Sequence, residues 1–347
     1  GVRARMTERP ASPDPRPSRA KTSGRTLAIL YLAVCLLPLG IAATRSVAPF
    51  ALWEAVAAAL GMVALVAMTV QFLTSGRFGA VSGRLGIDEI MAFHKVAAWG
   101  VLVALALHPL LYVVPTWSAD PALGQERLMT YLTAPHYRSG VIALAALVLL
   151  VPAGFMRDRL PVPYEAWRAS HLLLALTAVG AGLHHAMTVG RFGATGPVHL
   201  GWWLVAGVIV AVVAILYGWR WAKLRRRPWT LKSNRKLADR TWELDIQPAE
   251  GTPPLSYEAG QFVWMTSGRR RFPLFDHPFS IADSPKRAGI SLIIKEAGDY
   301  TNRIGSLKPG TPIGIDGPHG SFTIGREGPD AIVLIAGGVG IAPILGL

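Results

Sequence analysis

The stretch FHKVAAWGVLVALALHPL, Phe93 to Leu110, is apolar enough to sit in lipid yet holds two imidazoles, His94 and His108. Ionisable side chains inside a membrane are costly and need partners. The two histidines lie 14 positions apart, which on a helix is about 21 Å of rise and about 40° short of four full turns. Both rings therefore fall on nearly one face, at opposite depths. A second run, HLLLALTAVGAGLHH from His171 to His185, repeats the arrangement, with His171 at one end and His184 and His185 at the other.

These two runs belong to a series. Apolar segments lie at about 27–43, 51–73, 90–114, 139–156, 167–189 and 199–221, each near the ~20 residues that cross a hydrocarbon core. The chain has 347 residues, 51% hydrophobic and only 16% charged, a charge content below that of a soluble domain. The composition is uneven, with residues 27–222 reading as a membrane domain and 223–347 as a globular part. A cleaved signal sequence is the alternative reading of the first run.

Orientation follows from charge. The net charge of +14 gathers beside the membrane, at Arg3, Arg5, Arg9, Arg16, Arg19, Lys21 and Arg25 before the first run and in WRWAKLRRRPW after the last. Arg77, Arg84, Arg157 and Arg159 mark two further loops as inner. Cytoplasmic loops collect Lys and Arg, so these clusters are topology signals and anionic-lipid contacts, and no nucleic-acid partner is implied. Six crossings return the chain to the inside. Residues 1–26, rich in Pro, Arg and Ser, are expected to be disordered. The loops at 44–50, 115–138 and 190–198 fall outside. Cys35 is the only cysteine, which excludes an internal disulfide and a cysteine metal site.

Both histidine runs then travel from inside to outside. His94 and His171 share the inner depth, and His108 shares the outer depth with His184 or His185. Two bis-histidine sites stacked across a bilayer are the pattern for two haems, whose iron takes axial imidazoles from facing helices. Separate hydrogen bonding of each ring, or proton relay, would not require matched depths. On an ideal helix His185 keeps the face of His171, whereas His184 is turned about 140° from it. Gly180 and Gly182 could distort that helix. His136 and His199 lie at the outer surface.

The globular part opens with the alternating stretches TWELDIQP and GQFVWMT and continues as short strands between Pro and Gly turns, the pattern of a small antiparallel barrel. AIVLIAGGVGIAPIL follows and reads as a buried strand opening a parallel α/β unit, one the chain does not complete. Between them lie DHPFSIADSP, GDYT and GPHGSF. A flavin needs an aromatic or apolar platform, a hydroxyl near its reactive N5 and backbone amides at its pyrophosphate. Phe279 and Ser280 suit the first two needs, and Thr301 with nearby amides suits the third. Gly337, Gly338 and Gly340 leave room for a nucleotide backbone.

Over residues 27–347 the chain resembles the ferric reductase and NADPH oxidase family of transmembrane flavocytochromes. The resemblance rests on the six runs, the paired histidines, His277-Pro278-Phe279-Ser280, the GDYT segment Gly298–Thr301 and the GGVGIAP loop Gly337–Pro343. It implies a six-helix transmembrane haem bundle at 27–222. An antiparallel β-barrel FAD domain of ferredoxin-reductase type follows at 229–325, and the start of an α/β NAD(P)H-binding domain at 329–347. It implies that cytosolic NAD(P)H reduces FAD, bound by His277, Pro278, Phe279, Ser280, Gly298 and Thr301 with Ser280 beside N5, and that Gly337, Gly338, Gly340 and Pro343 hold the nucleotide. Electrons then pass singly through two b-type haems, held by His94, His171, His108 and His184, to an extracytoplasmic acceptor. The family spacing on the fifth span favours His184 over His185. The implied location is the cell (inner) membrane, with a ferric chelate as the preferred acceptor and oxygen as the alternative. A haem-binding subunit serving a separate redox partner, or a transporter using buried histidines, are the competing classes.

Overall fold

A computed structural model describes residues 24–44, 51–75, 77–78, 86–268, 271–324 and 332–347. Most of the basic N-terminal segment and the inner loop around Arg84 lie outside these residues. The helices are α1 Gly24–Ala43, α2 Leu52–Leu73, α3 Ile87–Ala119, α4 Pro121–Thr133, α5 Arg138–Phe155, α6 Tyr164–Thr188, α7 Gly196–Val213 and α8 Arg220–Arg226, the last two joined by a π-helical turn at Ala214–Trp219. Five segments are long and apolar enough to cross a membrane: Arg25–Ala43, Leu52–Leu73, Ile87–Ala119, Pro135–Phe155 and Gly196–Arg226. The 25 residues of α6 give about 37 Å of helix, but its three histidines, Glu165 and Arg168 make it less apolar than the other five.

The bundle is small inside and large outside. Ala57, Ala64, Ala67, Ala143, Ala146 and Ala178 are buried, whereas Leu149, Leu173, Leu200, Leu204 and Val210 are exposed. Lipid tails are as apolar as leucine, so membrane helices associate by close backbone approach through small residues. α2 is central, with every residue from Ala64 to Thr69 buried. The membrane-side segment 115–138, read from sequence as an outer loop, is mostly helical. α3 runs on to Ala119, and the Asp120 carboxylate then accepts from the amides of Ala122 and Leu123 at 3.0 and 3.1 Å, capping α4 with Pro121 at its first position.

Six antiparallel strands form the second part: β1 Trp229–Ala238, β2 Thr241–Pro248, β3 Phe262–Ser267, β4 His277–Ser280, β5 Ile290–Lys295 and β6 Pro312–His319. They are ordered β4-β3-β6-β1-β2-β5. The expected barrel is not closed. Its two edge strands meet at one isolated bridge, Ile281 to Leu292, and by the Ala282 amide donating to the Ser291 carbonyl at 2.8 Å. Period-2 alternation places Leu244 and Ile246 of β2 in a core with Val263, Met265, Leu292, Ile294 and Ile313. Gly260 has φ +89°, and a side chain there would collide with the Phe322 carbonyl, so only glycine suits that entry into β3.

The stretch AIVLI is not a strand where the structure describes it. Residues 332–337 have no regular structure, and Val333 and Ile335 are 86% and 88% exposed. A parallel strand gains its stability from neighbours on both edges, and among the described residues no strand pairs with it. The glycine turn continues into a 3₁₀ helix at Gly338–Ile344, which leans on β5.

Candidate functional site

The structure pairs the histidines by depth. The rings of His94 and His171 lie 6.5 Å apart between centroids, and those of His108 and His185 lie 6.3 Å apart. His184, the ligand implied by resemblance, is exposed, and the imidazole across from His108 is that of His185. The physical reason is helical phase. Fourteen positions keep His185 on the face of His171, and α6 is one α-helix from Tyr164 to Thr188.

Glycines on neighbouring helices make room for these rings. A Cβ at Gly61 would lie 2.9 Å from His108 Nδ1, one at Gly140 would lie 2.8 Å from His185 Nδ1, and one at Gly154 would meet His171 Cε1 at 3.9 Å. Sequence reading missed them, although Gly140 and Gly154 repeat the 14-residue spacing of His171 and His185. His108 Nδ1 lies 2.7 Å from the Ala57 carbonyl. A carbonyl only accepts, so Nδ1 carries the proton and Nε2 keeps its lone pair free for a metal. His94 Nδ1 and His185 Nδ1 are buried and have no hydrogen-bond partner among the described residues. His199 is used up structurally, with one ring nitrogen 2.9 Å from the Gly193 carbonyl and the other accepting from Trp203 at 3.3 Å. His136 is exposed beside Tyr137.

The donor set suits haem iron. Two imidazoles bound end-on to one metal at about 2 Å each hold their centroids about 6 Å apart, the separation found in both pairs. Each site offers two imidazoles, and among the described residues no cluster of three or more metal-ligating side chains competes with them.

The second predicted site lies where the sheet meets the end of the bundle that carries His94 and His171. In β4, His277 pairs with Met265 and Ser280 pairs with Phe262. His277 Nε2 lies 3.1 Å from the Glu165 carboxylate on α6, and its ring stacks on Tyr300 at 3.9 Å and 15°. Burial pushes His277 below its ordinary pKa, against the hydrogen bond and charge of Glu165. The carboxylate only accepts, so Nε2 carries a proton and donates to Glu165. Burial also pushes the Tyr300 hydroxyl up to about 12, and Tyr300 donates to Ser267 at 3.1 Å. Phe279 lies nearly parallel to Tyr300, 6.3 Å away. Thr301 Oγ1 accepts from the amides of Ala297 and Gly298, both at 2.9 Å, so those amides close a turn rather than point outward. Tyr300, Arg303, Ser306, Glu165 and Ser267 line a cleft of about 530 Å³ between sheet and bundle. Gly337, Gly338 and Gly340 are exposed on the 3₁₀ turn, and Pro343 is half-buried.

Two buried carboxylates lock the parts together. Asp276, 2% exposed, accepts from Arg77 at 2.6 and 2.9 Å and from Arg168 at 2.8 Å. Arg168 also donates to the Pro273 and Asp276 carbonyls, each at 2.9 Å, and Arg77 lies 3.7 Å over the Trp264 ring. Asp316 of β6 meets Arg220 of α8, with Lys223 at 3.5 Å and His319 at 3.6 Å. Burial alone would raise the Asp316 pKa; His319, Arg220 and Lys223 together hold it well below the usual carboxylate range. None of these partners was legible beforehand, since Arg77 and Asp276 are 199 positions apart.

Comparison with known proteins places both parts. Residues 60–182 match the ferric reductase like transmembrane component, and residues 230–329 match an FAD-binding domain. A putative respiratory burst oxidase homolog protein G of Arabidopsis thaliana is 25% identical, over 76% of this chain and 36% of its own length. Dual oxidase 1 of Caenorhabditis elegans is 26% identical, over 81% of this chain and 20% of its own length. A probable electron transfer subunit of dihydroorotate dehydrogenase B from Pyrococcus abyssi is 29% identical, over 33% of this chain and 42% of its own length. The chain thus spans well under half of each of these relatives. A ferric reductase like transmembrane component thus leads into an FAD-binding domain, and the two oxidase relatives align across both parts.

Proposed function

We propose that this chain carries electrons across a membrane, from a flavin held by the sheet to an acceptor on the far side. The observation behind the reading is the two imidazole pairs, at 6.5 and 6.3 Å, separated by 14 residues of helix on both α3 and α6. His94 with His171 would hold an inner b-type haem, and His108 with His185 an outer one, His185 replacing His184. A bound FAD would split the electron pair of a hydride from NAD(P)H into single electrons, and haem iron would supply one-electron sites for them. His108 presents Nε2 because its Nδ1–H donates to the Ala57 carbonyl. Phe279 and Ser280 would flank the flavin, and Tyr300, Arg303 and Thr301 would border its phosphates. Six spans with the FAD domain on the cytoplasmic face of the cell (inner) membrane follow from the Arg and Lys distribution. The ion pairs of Asp276 and Asp316 join sheet and bundle, which favours one continuous route over a haem subunit serving a separate partner. A ferric chelate is the preferred acceptor. Oxygen is the second reading, favoured by the relatives named respiratory burst oxidase and dual oxidase.

The test is haem per chain in full-length protein by pyridine haemochrome assay, expected at two; a ratio of one or none overturns the reading. In sealed vesicles with NAD(P)H on the cytoplasmic side, ferrous chelate is expected on the opposite side. Superoxide in its place, with chelate present, selects oxygen, and iron reduction confined to the NAD(P)H side refutes transmembrane transfer.

A further inference from the structure

A line of aromatic rings runs from the flavin-side turn to the inner histidine pair. Phe279 faces Tyr300 at 6.3 Å, and Tyr300 stacks on His277 at 3.9 Å. His277 meets Tyr164 at 5.3 Å, Tyr164 stacks on Trp167 at 6.1 Å and 21°, and Trp167 meets His171 at 5.3 Å. Tyr164, Trp167 and His171 occupy successive turns of α6, at spacings of three and four that bring helical neighbours together. The line crosses the seam between sheet and bundle at one contact, His277 with Tyr164. That contact is framed on both sides, by Glu165 on His277 at 3.1 Å and by Arg168 on Asp276 at 2.8 Å.

We propose that Tyr164 and Trp167 are positioning residues for transfer between the flavin and the inner haem, bridging the seam with a line of neighbouring rings. This rests on the reading above. Electronic coupling falls steeply with each gap between atoms, and rings in contact replace gaps with bonded paths. One electron leaves the reduced flavin and one is gained by the inner iron; the rings are not oxidised in between. Their surroundings match that role. The Arg157 guanidinium lies 4.7 Å from the Tyr164 ring and 5.2 Å from the Trp167 ring, and that of Arg168 lies 5.4 Å from Tyr164. Cations over a ring face are attracted to its neutral electron cloud and disfavour a ring radical cation, which makes the rings a medium rather than a stopping place.

The experiment compares Trp167→Leu, Trp167→Phe and Tyr164→Leu with wild type in full-length protein in detergent. Haem content, the inner-haem midpoint potential and the near-ultraviolet circular dichroism of the cofactor-free protein are measured first. Anaerobic stopped-flow mixing with NAD(P)H then follows flavin bleaching and haem reduction separately. Both leucine variants are expected to slow haem reduction by an order of magnitude or more after unchanged flavin reduction, with haem content and potential as in wild type, and Trp167→Phe is expected to recover most of the rate. Wild-type haem reduction rates in Tyr164→Leu, whose ring does not touch His171, overturn the proposal. So does equal slowing by Trp167→Phe and Trp167→Leu, which marks a packing role. Absence of haem absorbance in wild type refutes instead the two-haem reading itself.

Discussion

Asp276→Asn keeps the side-chain volume and removes the charge that holds Arg77 and Arg168 at the seam. The carboxylate is 2% exposed and the two arginine side chains 13% and 11%, so solvent replaces little of what is lost. Removing one partner of a buried ion pair costs about 3–5 kcal/mol. Arg168 retains the Pro273 and residue-276 carbonyls, and Arg77 retains the Trp264 face, which places the effect near about 3 kcal/mol. At about 1.4 kcal/mol per factor of ten, that weakens docking of sheet on bundle roughly 100-fold. Hydrogen–deuterium exchange in detergent measures it, on peptides covering residues 271–280 and the first turns of α6. Both should exchange faster, while β2 and β5, remote from the seam, keep their protection. Asp283→Asn is the control. Its ion pair with Arg287 is 46% exposed on the arginine side, and such pairs contribute about 0–1 kcal/mol. Equal protection in Asp276→Asn and wild type at both seam peptides would refute the reasoning.

Other outcomes follow from the same geometry. His185→Ala should lose the outer haem and spare the inner one, while His184→Ala should keep both, read from dithionite-reduced spectra and haem-to-protein ratios; the reverse pattern would restore the family's spacing. Gly140→Ala puts a methyl group 2.8 Å from His185 Nδ1, so the ring must shift and outer-haem occupancy should fall, while Gly100→Ala, with nothing within 4 Å, should leave it unchanged. The acid limb of stability has a worked sign. The folded pKa of Asp316 is depressed, so its contribution is present above the unfolded value of about 3.9 and is lost as pH falls through the folded one. Asp316→Asn should destabilise the protein at neutral pH and flatten that limb in thermal unfolding. The folded pKa of His277 is also depressed, chiefly by burial, so seam stability in the cofactor-free protein should decline as pH falls below about 6.5, a decline His277→Gln should abolish in exchange at residues 271–280.

Much of the architecture follows from the covalent chain alone. Helical rise and phase place residues 14 apart on one face at two depths, so the shared face of His94 with His108, and of His171 with His185, was readable before any packing was known, although the resemblance favoured His184. Alternation likewise marked β2 and β3, because the two faces of a strand differ only in their environment. What lay beyond the sequence is what depends on pairing between distant segments. AIVLI has the composition of a buried strand, but a strand exists only with a neighbour, and in the structure residues 332–335 of it have none. For the partner of His108, resemblance favoured His184 and helical phase His185, and packing sets the His185 ring 6.3 Å from His108, beside Gly140. The seam was likewise invisible. Arg77, Arg168 and Asp276 are each ordinary charges in sequence, and Tyr164 and Trp167 are ordinary interfacial aromatics. Their roles arise because the tertiary fold buries one carboxylate between two guanidiniums and, beside it, closes a line of rings onto His171.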